Sequence, residues 1–373
     1  MIYLDNAATT LVKPDSVKRE MAKCMRSFCA NSGRGGHRIS ILAGEKVYDC
    51  REKLAMLFNV RNPANIAFTL NTTMALNLAI KGILKNATHV VISGMEHNSV
   101  LRPIIHSGVR YSIAKADTTG LVTAKSVEEA ICGDTGLIII THASNIVGTI
   151  NKISEIGEVA KRHNIPLLVD AAQTSGVIPI DVEQCNISML AFAGHKMLYG
   201  PTGTGGLYVS PDIKLDTIIE GGTGSLSESL IQPDFMPDHL ESGTLNTVGI
   251  VGLLEGVKFV IKNTPEAIHQ KEMFLTKRLI SEIKNIKGVK VYGAEERVGV
   301  VGFSVDGIDS VTVSTMLDED YNIASRGGMH CAILAHKSIG TQRLGLARLS
   351  VSYFTKTNEI DKAINAVNKI SKK

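Results

Sequence analysis

The sequence contains no tryptophan, only ten prolines among its 373 residues, and only six cysteines. The cysteines form no CxxC pair and show no regular spacing, which excludes the disulfide framework of a small secreted protein and gives no pattern of metal ligands. We therefore assign no metal-binding residues and predict free thiols in a reducing, cytoplasmic compartment.

Clusters of one charge and long apolar runs are also missing. Forty lysines and arginines against 36 aspartates and glutamates give a net charge of +4 without a basic block, so no nucleic-acid partner is indicated. No apolar run approaches the roughly 18 residues of a membrane helix, and the N-terminus, MIYLDNAATT, lacks the basic and apolar regions of a signal peptide. With 44% apolar and 20% charged residues, we expect a soluble protein with its own core and no membrane partner.

What the sequence does contain is an alternation of short apolar runs with segments of helical periodicity. The predicted strands of the first two thirds are 66–70, 89–92, 137–141, 166–170, 189–192 and 206–209. Several are continuously apolar, which is typical of strands buried on both faces of a parallel sheet. After about residue 250 long helices lead to fewer, mixed strands. We predict a large α/β domain with a mostly parallel sheet over 15–250, and a smaller α+β domain formed by 1–14 and 251–373.

Chemically capable residues follow these apolar runs within a few positions. They are His97, Asn145, Asp170, Gln173, His195 and Lys196. Because ligands of open α/β sheets bind outside the carboxyl ends of the strands, we expect these side chains to face one crevice.

Thr72 and Thr73 open a helical segment directly after a predicted strand. Their hydroxyls and the free N–H groups of a first helical turn either cap the helix or hold an anion such as phosphate. Lys196 is either a surface lysine or a desolvated amine that attacks a carbonyl. Asp170 either caps the following turn or pairs with a ligand cation.

Cys331 lies in a loop-like segment with two glycines, Gly327 and Gly328. Arg326 and His330 would favour its thiolate, which would make Cys331 a reactive thiol. The alternative is that Cys331 is a small buried hydrophobic residue. Four other cysteines are predicted to be buried hydrophobes: Cys24, Cys50, Cys132 and Cys185.

Taken in chain order, the motifs resemble those of fold-type-I pyridoxal-phosphate enzymes, and specifically the class-V aminotransferase branch of cysteine desulfurases and selenocysteine lyases. The resemblance covers nearly the whole chain. The motifs that carry it are Tyr3-Leu4-Asp5-Asn6-Ala7-Ala8-Thr9-Thr10, Met95-Glu96-His97, Ser144-Asn145-Ile146-Val147-Gly148-Thr149, Val169-Asp170-Ala171-Ala172-Gln173, Gly194-His195-Lys196 and Glu241-Ser242-Gly243-Thr244-Leu245-Asn246-Thr247.

The resemblance implies pyridoxal 5′-phosphate as cofactor and a homodimer with shared active sites. It implies that Lys196 carries the cofactor, that Asp170 pairs with the ring nitrogen, and that His97 stacks on the ring and assists proton transfer. The other implied contacts are Asn145 and Gln173 near the phenolic oxygen, Thr72, Thr73 and His195 at the phosphate, and Thr244 reaching the phosphate from a second subunit. Arg34, Gly35 and His37 resemble a segment that reaches the partner's active site.

The R-x-G-x-H-C motif that ends at Cys331 resembles the short-loop group of cysteine desulfurases, in which this cysteine accepts sulfur. The implied reaction converts L-cysteine to L-alanine and leaves a persulfide on Cys331. Arg348 is the implied ligand of the substrate carboxylate, since guanidinium pairs with it bidentately. The other residues implied at the substrate are Arg326, Asn6 and Ala7.

Several alternatives remain open from the sequence. Selenocysteine lyase, cystine lyase or another class-V aminotransferase activity would use the same scaffold, although a plain aminotransferase needs no thiol. From other classes, the glycine-rich run 200–206 would serve a nucleotide-binding protein, although it matches no complete nucleotide motif. Cys331 would also suit a non-catalytic sulfur carrier. A sulfur-acceptor protein would be a partner of the desulfurase.

Overall fold

The computed structural model describes residues 1–33, 35–84 and 87–373. The helices in these ranges are α1 (Asp15–Ser27), α2 (Arg38–Phe58), α3 (Thr72–Leu84), α4 (Asn98–Ser107), α5 (Ala124–Glu128), α6 (Ile153–Arg162), α7 (Thr247–Asn263), α8 (Pro265–Ile283), α9 (Ser310–Tyr321), α10 (Ile333–Ser338) and α11 (Thr357–Ile370). The strands are β1 (Ile2–Tyr3), β2 (Ile66–Thr69), β3 (His89–Ser93), β4 (Arg110–Ala114), β5 (Thr135–Thr141), β6 (Leu167–Asp170), β7 (Met189–Ala193), β8 (Gly205–Val209), β9 (Val289–Tyr292), β10 (Val300–Val305), β11 (Ile323–Ala324) and β12 (Ala347–Ser350). Among these helices none has the length and apolarity needed to cross a membrane.

A seven-stranded sheet in the order β2-β8-β7-β6-β5-β3-β4 forms the centre of the molecule. All neighbouring pairs from β7 to β4 are parallel, and β8 is antiparallel to both of its neighbours. The mostly parallel sheet predicted from the apolar runs is therefore confirmed. All six predicted strands form, with ends within two residues of the prediction.

The central strands are mostly apolar because both faces of the sheet are covered. Ile138 and Ile140 of β5 enter the core on one face, whereas Leu137 and Ile139 enter the core on the other face. This alternation buries residues 137–141 of the strand while leaving its carboxyl end free to present polar groups.

A second, three-stranded antiparallel sheet in the order β12-β10-β9 has its own core against α8, α9 and α11. β1 pairs in parallel with β11, which joins the N-terminus to the C-terminal part of the chain. Helix α7 packs against α1 and α2, so contacts cross the domain boundary predicted at residue 250. The division into 15–250 and 1–14 with 251–373 stays a prediction.

All six cysteines lie in the described ranges and have free thiols. Cys24 and Cys50 are buried on helical apolar stripes, as predicted, and Cys185 is partly buried. The prediction for Cys132 is wrong, because it lies exposed in the turn after α5, with its Sγ 3.4 Å from Asp134 Oδ1.

Candidate active site

A cavity of about 490 Å³ lies where β3, β5, β6 and β7 end and α3 begins. We call it the Lys196 cavity; its lining residues are Asn71, Thr72, Thr73, His97, Ser99, Thr141, Ala143, Asn145, Asp170, Ala172, Gln173, His195 and Lys196. Every residue predicted to bind the cofactor, apart from Thr244, is in this set. The parallel strands thus bring together residues that lie more than a hundred positions apart in the sequence.

Lys196 follows the end of β7 and is fixed by the N-terminal segment. The Thr10 Oγ1 hydroxyl donates to the carbonyl of Lys196 at 3.0 Å, and Lys13 Nζ donates to the carbonyl of His195 at 2.8 Å. Burial lowers the pKa of the Lys196 amine to about 8, although the Asp170 carboxylate opposes the shift. A larger fraction of this amine is therefore unprotonated at neutral pH than for an exposed lysine, as attack on a carbonyl requires.

Asp170 is the last residue of β6 and is 4% exposed. Its Oδ1 accepts from the backbone N–H of Ala172 at 2.9 Å, so it also caps the following turn. Burial raises the pKa of the carboxyl, and the charge of Lys196 opposes this effect. A protonated ring nitrogen beside Asp170 would stabilise its ionised form further.

Gln173 and Asn145 offer amide groups to the same cavity. Gln173 Nε2 donates to the carbonyl of Ala7 at 3.1 Å, whereas its buried Oε1 has no hydrogen-bond partner among the described residues. Asn145 Nδ2 donates to the carbonyl of His330 at 2.8 Å. The cavity thus contains a buried amine, a buried carboxylate and an unsatisfied polar atom. Such a combination suits a polar ligand.

His97 is the N-cap of α4, and its Nδ1 accepts from the backbone N–H of Ser99 at 3.1 Å. Burial lowers the pKa of the imidazole to about 4, with further lowering by the charges of Lys196, Arg326 and Arg102. The ring is therefore neutral at pH 7, and because Nδ1 is an acceptor, Nε2 carries the ring proton. A neutral ring of this kind can stack on an aromatic cofactor and exchange a proton at Nε2.

Thr72, Thr73 and His195 form the part of the cavity suited to an anion. Helix α3 begins at Thr72, and Asn71 Oδ1 caps it by accepting from the Met74 N–H at 2.9 Å. The first N–H groups of a helix have no acceptor within the helix, so they and the threonine hydroxyls can bind phosphate. Burial lowers the pKa of His195 to about 4, which leaves its ring a neutral hydrogen-bonding group.

Taken together, these residues fit pyridoxal 5′-phosphate. Lys196 would bind the aldehyde carbon, Asp170 the ring nitrogen and the start of α3 the phosphate. The unpaired Gln173 Oε1 marks a polar contact that the protein leaves open.

Thr244 does not line the Lys196 cavity of its own chain. It borders a separate cavity, with Asn31 Nδ2 3.4 Å from its Oγ1. The segment that carries it is fixed by a buried bidentate pair of Arg51 with Glu241, at 2.8 and 3.0 Å. Its action from a second subunit stays a prediction. Arg34, predicted to reach the neighbouring active site, lies outside the described residues.

Cys331 is exposed on a loop that hydrogen bonds fix at several points. Its carbonyl accepts from the Asn98 N–H at 2.7 Å, and His330 Nε2 donates to the carbonyl of Leu346 at 2.8 Å. The φ angles of His330 and Cys331 are +48° and +56°. Positive φ costs of order 1–3 kcal/mol at a non-glycine residue and persists where surrounding contacts impose it, which is a recurrent property of functional sites.

Cys331 opens onto a second cavity of about 860 Å³, which we call the Cys331 groove. The groove is lined by Thr73, Asn77, Lys81, His97, Asn98, Ser99, Arg102, Pro103, His106 and Cys331. It shares Thr73, His97 and Ser99 with the Lys196 cavity. The two cavities therefore adjoin at these three residues.

Arg348 is 1% exposed and already holds two groups of the protein. Its Nη1 donates to the carbonyl of Asn145 at 2.9 Å and its Nη2 to Asp5 Oδ1 at 2.5 Å. Its buried Nε has no partner among the described residues. Asp5 thus orients the guanidinium and Nε is left as an unsatisfied donor, but Arg348 lines neither of the two cavities, so its contact with the substrate carboxylate stays a prediction.

The other residues predicted at the substrate serve the framework in this structure. Arg326 is exposed, and its backbone pairs with that of Arg348. Asn6 Nδ2 donates to the carbonyl of Ser350 at 2.9 Å, and Ala7 holds Gln173 through its carbonyl. Their contact with substrate stays a prediction.

The glycine-rich run 200–206 leads into strand β8 rather than into a helix, so it is not a nucleotide-binding loop. Its glycines are required for packing. A Cβ on Gly206 would lie 2.2 Å from Phe192 Cζ, and one on Gly205 would lie 2.9 Å from the backbone of Asn71.

Sequence reasoning missed several residues of the site. Thr141 is opposite Asp170 in the register of β5 and β6, so the rule that strand ends carry function could have found it. Ser99 contacts His97, and Asp5 contacts Arg348. No pattern in the sequence indicates these contacts.

His142 lies next to the strand that ends at Asp170, because its backbone N–H donates to the backbone carbonyl of Asp170 at 2.9 Å. Burial lowers the pKa of its ring to about 4. In the unfolded chain a histidine titrates near pH 6.5, so between about pH 6.5 and 4 the unfolded state binds a proton that the folded state does not. Its contribution to stability is therefore lost as the pH falls through this range.

We expect the unfolding free energy of the wild-type protein, relative to that of His142→Leu, to fall by about 2 kcal/mol between pH 7 and pH 5. Urea unfolding at both pH values measures the difference in unfolding free energy between the two proteins. The effects of other titrating groups are common to both proteins and therefore cancel in this difference. The exposed His106→Leu variant is the control. A difference that does not change with pH would contradict the burial of a neutral His142.

Comparison with known proteins identifies the family. The family model described as aminotransferase class-V matches residues 2–363. The chain belongs to this family. Class-V aminotransferases depend on pyridoxal phosphate, and the fold-type-I architecture predicted from the motifs is confirmed.

Relatives within the class-V family carry a more specific name. A probable cysteine desulfurase of Methanothermobacter thermautotrophicus is 34% identical over 370 residues, covering 96% of this chain and 92% of the relative. A cysteine desulfurase of Escherichia coli O157:H7 is 30% identical, covering 99% and 93%. The solved structure of a cysteine desulfurase from Thermococcus onnurineus superposes with a TM-score of 0.93 at 30% identity, covering 100% of this chain and 94% of that one.

Proposed function

We propose that this class-V family member is a pyridoxal-phosphate-dependent cysteine desulfurase that converts L-cysteine to L-alanine and retains the sulfur on Cys331. The observation that carries the proposal is the position of Cys331, whose groove joins the Lys196 cavity at His97. The names of the relatives support the same activity. A plain aminotransferase needs no thiol at this place.

When bound, pyridoxal 5′-phosphate supplies an electron sink that stabilises negative charge at the α-carbon of the substrate. Lys196 Nζ removes the α-proton, since its lowered pKa makes it a base near neutral pH. Arg348 binds the substrate carboxylate and so fixes the α-carbon over that amine. His97 carries its ring proton on Nε2, and its ring borders both the cavity of Lys196 and the groove of Cys331.

Cys331 completes the reaction with its thiolate. The Cys331 Sγ attacks the sulfur of the substrate, and the electron pair of the broken carbon–sulfur bond stays on the β-carbon. Protonation of the β-carbon and the α-carbon gives alanine, so the carbon gains the two electrons that the two sulfur atoms of the persulfide lose.

We propose a homodimer in which Thr244 acts at the phosphate of the second subunit. Support comes from its position outside the Lys196 cavity of its own chain, on a segment fixed by Arg51 and Glu241. The cytoplasm as compartment agrees with the six free thiols. A protein that accepts sulfur from Cys331 is a further proposed partner.

The proposed function is tested by adding pyridoxal 5′-phosphate to the purified protein and measuring alanine formed from L-cysteine, L-selenocysteine and L-cystine. We expect a visible absorption band from the lysine-bound cofactor and alanine formation from L-cysteine. If the absorption band is present and alanine forms from L-selenocysteine but not from the other two substrates, selenocysteine lyase would be favoured. Absence of the band would contradict the assignment of Lys196.

A further inference from the structure

The Cys331 groove carries positive charge on its outer side. The cations Lys81 and Arg102 are exposed along it together with His106, and no aspartate or glutamate among the described residues lines it. Among the described residues, no carboxylate pairs with Lys81 or Arg102. These cations are therefore available to a partner.

The positive field extends to the floor of the groove. Apart from burial, the groups that lower the pKa of His97 are Lys196, Arg326, Arg102 and Arg348, all of them cations. A negatively charged partner is thus attracted along the whole path from the surface to the reacting thiol.

The groove has the shape of a channel between two helices. Thr73, Asn77 and Lys81 of α3 are spaced by four residues, so they form one row on that helix. Asn98, Arg102 and His106 form the equivalent row on α4. Eight residues of helix extend about 12 Å, a length that suits a segment of extended polypeptide.

The loop of Cys331 cannot carry the sulfur away without breaking its contacts. The Gly328 N–H donates to Ser310 Oγ at 3.0 Å, and the Leu346 N–H donates to the Gly328 carbonyl at 3.2 Å. The carbonyls of His330 and Cys331 are held by Asn145 and Asn98. An acceptor that brings its own thiol into the groove receives the sulfur without breaking these contacts.

We propose that the Cys331 groove binds a sulfur-acceptor protein whose acceptor cysteine lies in an acidic segment, which Lys81, Arg102 and His106 recognise. This inference rests on the proposed desulfurase function and names the chemistry of its partner. The acceptor thiolate attacks the terminal sulfur of the Cys331 persulfide. The sulfur–sulfur bond to Cys331 breaks, the Cys331 thiolate leaves, and the acceptor becomes the persulfide, with no net oxidation.

The test uses cofactor-loaded protein that has been treated with cysteine carrying radiolabelled sulfur and freed of substrate. Synthetic peptides with one cysteine flanked by aspartates, lysines or serines then receive the label, and the rate is expressed per labelled Cys331. We expect transfer to the aspartate peptide to be about tenfold faster than to the lysine peptide at low salt, and the preference to shrink at high salt.

Two variants test which residues cause the preference for the aspartate peptide. Lys81→Gln combined with Arg102→Gln should reduce the ratio of the two rates to about one, because the attraction is removed. Lys362→Gln, which neutralises an exposed lysine on α11, should keep the ratio of the wild-type protein. A preference that survives the double substitution would overturn the assignment of these residues.

The remaining outcomes separate this inference from the proposed function. Label on Cys331 that passes equally to all three peptides would overturn the inference alone. Faster transfer to the small dianionic thiol mercaptosuccinate than to the aspartate peptide would assign the groove to a small acceptor and overturn the protein partner. Absence of label on Cys331 would overturn the proposed function and the inference with it.

Discussion

Replacement of Lys196 by alanine is expected to lower the rate of alanine formation from L-cysteine by roughly 10³-fold or more. Lys196 is the one lysine that lines its cavity, so among the described residues no other amine is placed to bind the cofactor or to remove the α-proton. The same variant should lose the visible band of the lysine-bound cofactor. Steady-state assays and absorption spectra measure both effects.

The control for this prediction is Lys362→Ala, which removes an exposed lysine on α11 and should retain both the band and the rate. Thermal unfolding of Lys196→Ala establishes that the variant is folded. A Lys196→Ala protein that retains more than a tenth of the wild-type rate would contradict the role of this amine.

Replacement of Cys331 by alanine is expected to abolish sulfur retention by the protein and to slow alanine formation from L-cysteine by roughly 10³-fold. The reason is that Cys331 is the one thiol on the cavities that meet at His97. The visible band of the cofactor should remain, because Lys196 and Asp170 are untouched. Loss of activity with an intact band separates a missing nucleophile from a damaged cofactor site.

Cys29→Ala is the matched control for Cys331→Ala. Cys29 is also exposed, but it lies after α1 and does not line either cavity. Its substitution should leave sulfur retention and alanine formation unchanged. Rapid alanine formation by Cys331→Ala would mean that sulfur leaves the substrate without this thiol, which would favour the lyase alternatives.

The fold was largely predictable because its central strands are buried on both faces. Run 189–192 is apolar at every position and run 137–141 at every position but the last, a pattern that only a covered sheet or a buried helix allows. Strand β4 escaped prediction because it lies at the edge of the sheet and most of its side chains are exposed. Its sequence, RYSIA, therefore lacks the continuous apolar run that marks its neighbours.

The candidate site was predictable where a polar or titratable residue directly follows the end of a predicted strand. His97, Asp170 and Lys196 were expected in one crevice from this rule alone, and they line one cavity. Their specific roles came from the resemblance, not from the spacing. The pairing of Asp5 with Arg348 joins residues 343 positions apart, and the hold of Asn145 on the Cys331 loop depends on packing. No local pattern in the sequence encodes such long-range contacts.

In the proposed reaction, sulfur from the substrate is transferred to Cys331. The most direct test is a single turnover of cofactor-loaded protein with L-cysteine, followed by proteolysis and mass spectrometry of the peptide that contains Cys331. We expect one added sulfur atom on this peptide and one alanine for each modified chain. Alanine formed with no sulfur on Cys331, or with the sulfur on another cysteine, would contradict sulfur transfer to Cys331.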